Sequence, residues 1–193
     1  AASDVYKRQA LRMRRKGIQV FIIAPLKGHE FYRAARNVGG EFIQISPASK
    51  NCINIMEIRK VDNSVNELLD GPTLDASALA GKIQRLHIFF SLLIPDMSHE
   101  EKQLLDEALI KTYARKGITH KNESLTDPQH PEQYKKMPIL EDVYNVLLES
   151  EDTKRLAHIL NRLVHGSASS FNQQTNVDLT NKYTVLDLSL IHI

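Results

Sequence analysis

The chain has 193 residues, 42% of them hydrophobic, enough to bury a core in one domain or one and a half. Lys and Arg number 25 against 23 for Asp and Glu, so the net charge of +2 carries no whole-chain signature of a nucleic-acid binder. The single cysteine, Cys52, excludes an internal disulfide, the apolar run Ile88 to Ile94 is far short of the ~20 residues a spanning helix needs, and no signal-peptide pattern is seen, so the cytoplasm is the expected compartment.

Ser3 to Gln9, SDVYKRQ, and Leu188 to Ile193, LSLIHI, resemble translated sequencing-adapter read-through. Both strings are left out of the expected fold, and the chain is then expected to be an internal fragment of a longer protein. Resequencing the source locus decides this, because a continuous frame encoding both strings contradicts it.

Ala10 to Lys16, ALRMRRK, reads as the end of a helix, with Arg14, Arg15 and Lys16 in the last turn and Gly17 as terminator. The basic cluster suits a solvated helix end better than a phosphate-backbone contact. Ile18 to Ile23 is an almost unbroken β-branched and aromatic run, which predicts a strand buried on both faces of a parallel sheet. Pro25 stops it. After the Lys27-Gly28 turn, Phe31, Ala34, Ala35 and Val38 fall at helical spacing, and Gly39-Gly40 supply residues that tolerate positive φ at a helix end. Phe42, Ile43 and Ile45 make a second strand, so Gly17 to Pro47 is a β-α-β unit with a right-handed crossover and parallel strands. The helix before Ile18 extends the pattern upstream as α-β-α-β, which predicts a missing first strand before Ala10.

Ala48 to Lys60 reads as a loop with a short extended piece around Ile53 to Ile58, and Cys52 within it as a small semi-buried hydrophobe rather than an activated thiol. Val61 to Pro72 is a polar connector, and from Leu74 the chain is expected to be wholly helical for about ninety residues. Leu79, Ile83, Leu86, Phe90 and Leu93 form one stripe, thickened by Phe89 and Ile94 and ended by Pro95, with His87 expected as a core histidine. Ser98 and Glu101 form a capping box before a face of Leu104, Leu105, Ala108, Leu109 and Tyr113 that runs to Gly117. Ile118 to Met137 reads as a polar loop, in which His120, His130, Glu123 and Asp127 lack the spacing of a metal site.

Pro138 starts the next expected helix, with Leu140, Val143, Tyr144, Leu147 and Leu148 on one face. Asp152 or Thr153 caps another, with Leu156, Ile159, Leu160, Leu163 and Val164, and the two predict an antiparallel helical pair. Ser167 to Asn181 is small and polar around Phe171, and Lys182 to Leu188 returns to a buried strand. A helical block is thus inserted between two strands of one sheet. The expected divisions are a partial α/β nucleotide-binding core over 1–60, with 1–9 read as non-native, a helical insertion over 61–166, and a return to a core strand over 167–193, with 188–193 read as non-native.

The 193 residues contain no GxxxxGK[ST], GxGxxG, GxSxG, HExxH or CxxC, so no nucleophile, metal cage or phosphate cradle follows from pattern. The suggestive site is the turn after the first strand, Pro25 to Phe31, because ligands of open parallel sheets sit at the carboxyl ends of strands. There Lys27 is placed to face a phosphate, with Gly28 and His29 beside it on the rim of a nucleotide site. Glu30 is the candidate to position water or act as a base, set against solvated roles in which it complements the helix dipole.

FIIAPLKGHEFYRAARNVGGEFIQISP, SKNCINIMEI, LLIPDMSHEEKQLLDEAL, PILEDVYNVL and SASSFNQQTNVDLTNKYTVLDLS resemble the central part of the motor domain of conjugative-transfer, type IV secretion ATPases, from Ala10 to about Leu188. The most specific pieces are GGEFIQISP, the element Asn51 to Met56, and FNQQTNVD. The resemblance implies α/β architecture, a partial RecA-like P-loop NTPase core with a parallel sheet and an all-helical insertion. It implies a parent that binds ATP and Mg2+, hydrolyses ATP to drive assembly or substrate transfer, forms a homo-oligomer with other secretion-system subunits, and sits in the cytoplasm at the inner face of the bacterial membrane. In that family a Walker A loop precedes a helix like ALRMRRK and a Walker B strand follows one like YTVLDLS; both fall outside this chain, so the fragment alone is expected to be inactive. Many relatives carry an acidic residue where this chain has Ala24, which leaves Glu30 as the turn's carboxylate. A double-stranded DNA translocase of related fold and a helical module docking secretion components are the alternative functions.

Overall fold

The computed structural model describes residues 2–25, 27–46, 49–59, 77–166 and 169–188. The Pro47 end of the second expected strand, the connector at Val61 to Pro72, the helical start at Leu74 and the string after Leu188 lie outside the described residues. The chain divides into two compact units, Ala1–Ile53 with Thr175–Ile193, and Asn54–Gln174.

The first unit is built on three parallel strands, β1 (Val20–Ala24), β2 (Glu41–Gln44) and β5 (Tyr183–Asp187), in the order β1-β5-β2. β5, the last in sequence, is the central strand. Val20 pairs with Tyr183 and Ala24 with Asp187, while Glu41 pairs with Thr184 and Gln44 with Asp187. β1 and β2 are therefore parallel, as the β-α-β pattern requires, with a third strand between them. Helix α1 (Ala2–Arg15) begins well before Ala10, so the Ser3 to Gln9 string is helical and continuous with ALRMRRK. A 3-10 turn (Gly28–Phe31) leads into the short α2 (Tyr32–Asn37), and Gly39 ends the segment at a φ of +65°, a backbone angle that favours glycine.

Ala10 from α1 and Ala35 from α2 pack on Val20, Tyr183 and Val185 to form this unit's core. That covers one face of the sheet. On the opposite face, Phe21 is 47% and Ile23 60% exposed, so β1 is an edge strand buried on one side, not on both as its apolar run predicts. Period-two alternation decides this: α1 and α2 lie against the side of Val20 and Ile22 and leave the alternate residues to solvent.

The second unit holds α3 (Ala78–Leu93), α4 (His99–Arg115), α5 (Leu140–Leu147) and α6 (Lys154–Val164). Leu79, Ile83, Leu86 and Phe90 form the buried stripe of α3 and share one core with Leu105 and Leu109 of α4 and Leu160 of α6. This block is not wholly helical. β3 (Thr126–Asp127) and β4 (His130–Tyr134) make an antiparallel ribbon inside the expected loop. The Asp127 carboxylate accepts the Gln129 N–H at 2.9 Å to shape its turn, and the exposed, polar residues of β4 give no apolar alternation from which a strand is read.

Three local expectations are corrected. Ile53 to Ile58 forms no strand; Asn54, 3% exposed, instead donates to Pro138 O at 2.9 Å and accepts the Met56 N–H at 2.9 Å, so the segment is held by a side chain rather than a ladder. His87 is no core residue: its Nε2 lies 2.8 Å from Asp106 Oδ1, and the ring is partly exposed because its helix position turns it toward that carboxylate on α4. α5 starts at Leu140 rather than Pro138, with the Asp142 carboxylate accepting the Ile139 N–H at 2.8 Å.

The capping box at the start of α4 is formed as read: Glu101 N–H donates to Ser98 Oγ at 3.1 Å and Ser98 N–H to Glu101 Oε2 at 2.9 Å. The Ser98 N–H, with help from Arg155, holds the Glu101 carboxyl below its ordinary value. A carboxyl so lowered contributes stability above the ordinary value of 4.5 and loses it as the pH falls through the folded value. Ser98→Ala, which removes the hydroxyl cap and keeps the Ser98 N–H, is expected to cost about 1 kcal/mol as a shift of the urea midpoint, while Glu101→Gln is expected to remove the pH dependence that this carboxyl contributes.

Candidate functional site

Parallel pairing brings the carboxyl ends of all three strands of the first unit to one edge, where Ala24, Asp187 and Gln44 stand side by side in register. The ladder continues one step beyond the strands, with Leu188 N–H donating to Ala24 O and Ile45 N–H to Asp187 O, both at 3.0 Å. Asp187 is 1% exposed and closes the central strand.

Two loops fold over this edge. The first is the Pro25 to Phe31 turn. Lys27 is exposed and takes φ 55°, ψ 32°, the one non-glycine positive φ among the described residues. That conformation costs on the order of 1–2 kcal/mol for an L-residue, so its neighbours must hold it. They do so at Gly28, which is buried so tightly against Asp187 that an added Cβ would sit 2.1 Å from Oδ1. The Glu30 N–H then donates to Lys27 O at 3.0 Å and closes the 3-10 turn. The second loop follows β2. Ser49 Oγ and Asn51 Nδ2 both donate to Gln44 O, at 2.7 and 3.0 Å, and Asn176 accepts the Cys52 N–H and donates to Lys50 O, both at 2.7 Å. These bonds assign a physical role to the Asn51 element and to the asparagine of TNVD: they fix loop backbone at the strand ends.

Lys27, Gly28 and His29 are thus together on this edge, Gly28 buried and the other two exposed. Glu30 is drawn elsewhere: its Oε2 lies 3.3 Å from Lys7 Nζ, which itself sits 5.8 Å from the centre of the Phe31 ring. The carboxylate that occupies the strand ends is Asp187, which pattern reading passed over; its signal was an acidic residue terminating the buried run YTVL. Cys52 is 4% exposed and burial pushes its thiol up, away from the activated range. Among the described residues no group of three or more metal-ligating side chains gathers. No helix among them is long and apolar enough to cross a membrane.

Strand order, parallel register, helices on the sheet and a helical unit inserted between β2 and β5 define the class: a partial RecA-like α/β core. No family model matches the sequence, and no curated protein does. Among solved structures, VirB4 of Thermoanaerobacter pseudethanolicus matches with a TM-score of 0.77 and 26% identity, over 100% of this chain and 67% of that one. This likeness along the whole chain supports reading it as a fragment of a conjugative-transfer, type IV secretion ATPase.

Proposed function

We propose that this chain supplies one edge of the nucleotide site and the helical insertion of a type IV secretion motor whose parent couples ATP hydrolysis to assembly or substrate transfer. The observation that carries the reading is the match to VirB4 along the whole chain, which takes in both the sheet and the helical unit. The residues present fit a rim: the exposed Lys27 ammonium and His29 ring stand on a turn seated at the carboxyl ends of three parallel strands. A glycine-rich amide cradle is absent from the 193-residue sequence, so the centre of the site comes from the rest of the parent. When bound, ATP with Mg2+ would supply the phosphoryl group, and Lys27 would hold its phosphates as a point charge. The parent works as a homo-oligomer with other secretion-system subunits at the inner face of the membrane.

The 193-residue chain by itself is expected to show no Mg2+-dependent ATP hydrolysis in a phosphate-release assay, while the parent hydrolyses ATP. Turnover by the purified chain, or none by the parent, contradicts the reading. A second role is favoured by one observation in the helical unit, where Ile88 is 64% and Leu92 79% exposed one turn apart on α3. This stripe suits docking of another secretion-system subunit. Light scattering of the chain with such subunits tests it: Ile88→Asp with Leu92→Asp is expected to abolish association.

A further inference from the structure

We infer that Asp187 is the positioning residue of this rim: its carboxylate seats Gly28 and thereby fixes the direction in which Lys27 presents its ammonium. The inference rests on the reading of the strand ends as the edge of a nucleotide site.

Asp187 continues the face of β5 that carries Tyr183 and Val185, both fully buried in the core under α1 and α2. Where the apolar run reaches the carboxyl edge, a carboxylate replaces it. An apolar side chain would fill such a place at no desolvation cost, and exchanging a buried charge for a well-packed hydrophobe is often neutral or stabilising. Packing alone therefore gives no reason for an acid here. The geometry of the turn does. An added Cβ on Gly28 would meet Asp187 Oδ1 at 2.1 Å, Cγ at 2.3 Å and Cβ at 2.7 Å, so the turn backbone lies directly against this side chain and only glycine permits the approach. The residue before that contact is Lys27, held left-handed, and the residue after next, Glu30, bonds back to Lys27 O. The strand ladder fixes Asp187 from both sides through its pairing with Ala24 and Gln44. A rigid strand end, a carboxylate, a glycine and a strained lysine thus form one continuous support, whose only exposed charge is the Lys27 ammonium.

The test has two arms. In the 193-residue chain, Asp187→Asn is expected to speed amide hydrogen exchange over residues 27–31 by about tenfold or more while exchange in β5 and in α4 stays unchanged. Unchanged exchange over 27–31 overturns the inference, and so does a general increase across the unit. In the ATP-hydrolysing parent, Asp187→Asn, Gly28→Ala and Lys27→Ala are each expected to raise KM for ATP about tenfold. The double variants with Lys27→Ala are expected to be no worse than Lys27→Ala alone, because all act through one ammonium. Effects that multiply to about a hundredfold overturn it. Gly28→Ala leaves the carboxylate in place and so separates seating from charge. A parent without ATP hydrolysis overturns the nucleotide reading alone, while the exchange arm still decides whether Asp187 seats the turn.

Discussion

Phe90→Ala is expected to lower the stability of the helical unit by about 3–5 kcal/mol, read as a shift of the urea midpoint at unchanged slope. Phe90 is 0% exposed, lies in the same core as Leu105, Leu109 and Leu160, and meets Phe89 edge-to-face at a centroid distance of 5.4 Å. Its removal forfeits the transfer free energy of a large ring and leaves a cavity that helices on both sides cannot close without moving their own packed residues. Ile88, two positions away on the same helix and 64% exposed, is the control: Ile88→Ala is expected to change stability by no more than about 0.5 kcal/mol. Equal effects at the two positions would mean that α3 is rotated about its axis relative to the structure described.

Gly28→Ala is expected to cost the sheet unit about 1–3 kcal/mol through overpacking against Asp187. The methyl has nowhere to go: its nearest neighbour, at 2.1 Å, belongs to a side chain anchored in the central strand rather than to a flexible tip. Relief requires the turn to lift off the sheet edge, which also releases Lys27 from its left-handed conformation. Gly17, where an added Cβ would meet nothing within 4 Å, separates steric from conformational cost, since its φ of +82° makes Gly17→Ala strained for backbone reasons alone. Thermal melts of the two variants against the wild-type chain check both values.

The elements that sequence makes legible are those with strong periodicity or a specific cap. The stripe of α3 and the Ser98 to Glu101 box follow from helical spacing, and β5 from a short run rich in β-branched and aromatic residues. What spacing does not carry is neighbourhood. β1 reads as doubly buried because its residues are apolar throughout, yet exposure is set by which faces α1 and α2 cover. The β3-β4 ribbon is hidden because its strands are short and polar, and the Ile53 to Ile58 segment because a buried asparagine takes the place of a ladder.

The candidate site shows the same division. The turn from Pro25 to Phe31 is visible from proline, glycine and the apolar run before it, and Lys27, Gly28 and His29 stand where an open sheet places a ligand edge. Glu30 attracts notice as the turn's carboxylate, but an ion pair with Lys7 across 23 residues of sequence engages it. Asp187 escapes notice for the complementary reason: it lies 159 residues beyond Gly28, by the difference of their numbers, and only the insertion of β5 between β1 and β2 brings the two together.

If the carboxyl edge of β1, β5 and β2 is part of the nucleotide site of a secretion motor, a structure of the parent with Mg2+ and a non-hydrolysable ATP analogue will show it. The triphosphate is expected at that edge, with the turn from Pro25 to Glu30 lining it and the Lys27 ammonium within contact of a phosphate oxygen. A nucleotide bound at another edge of the sheet, out of reach of residues 25–30, contradicts this assignment.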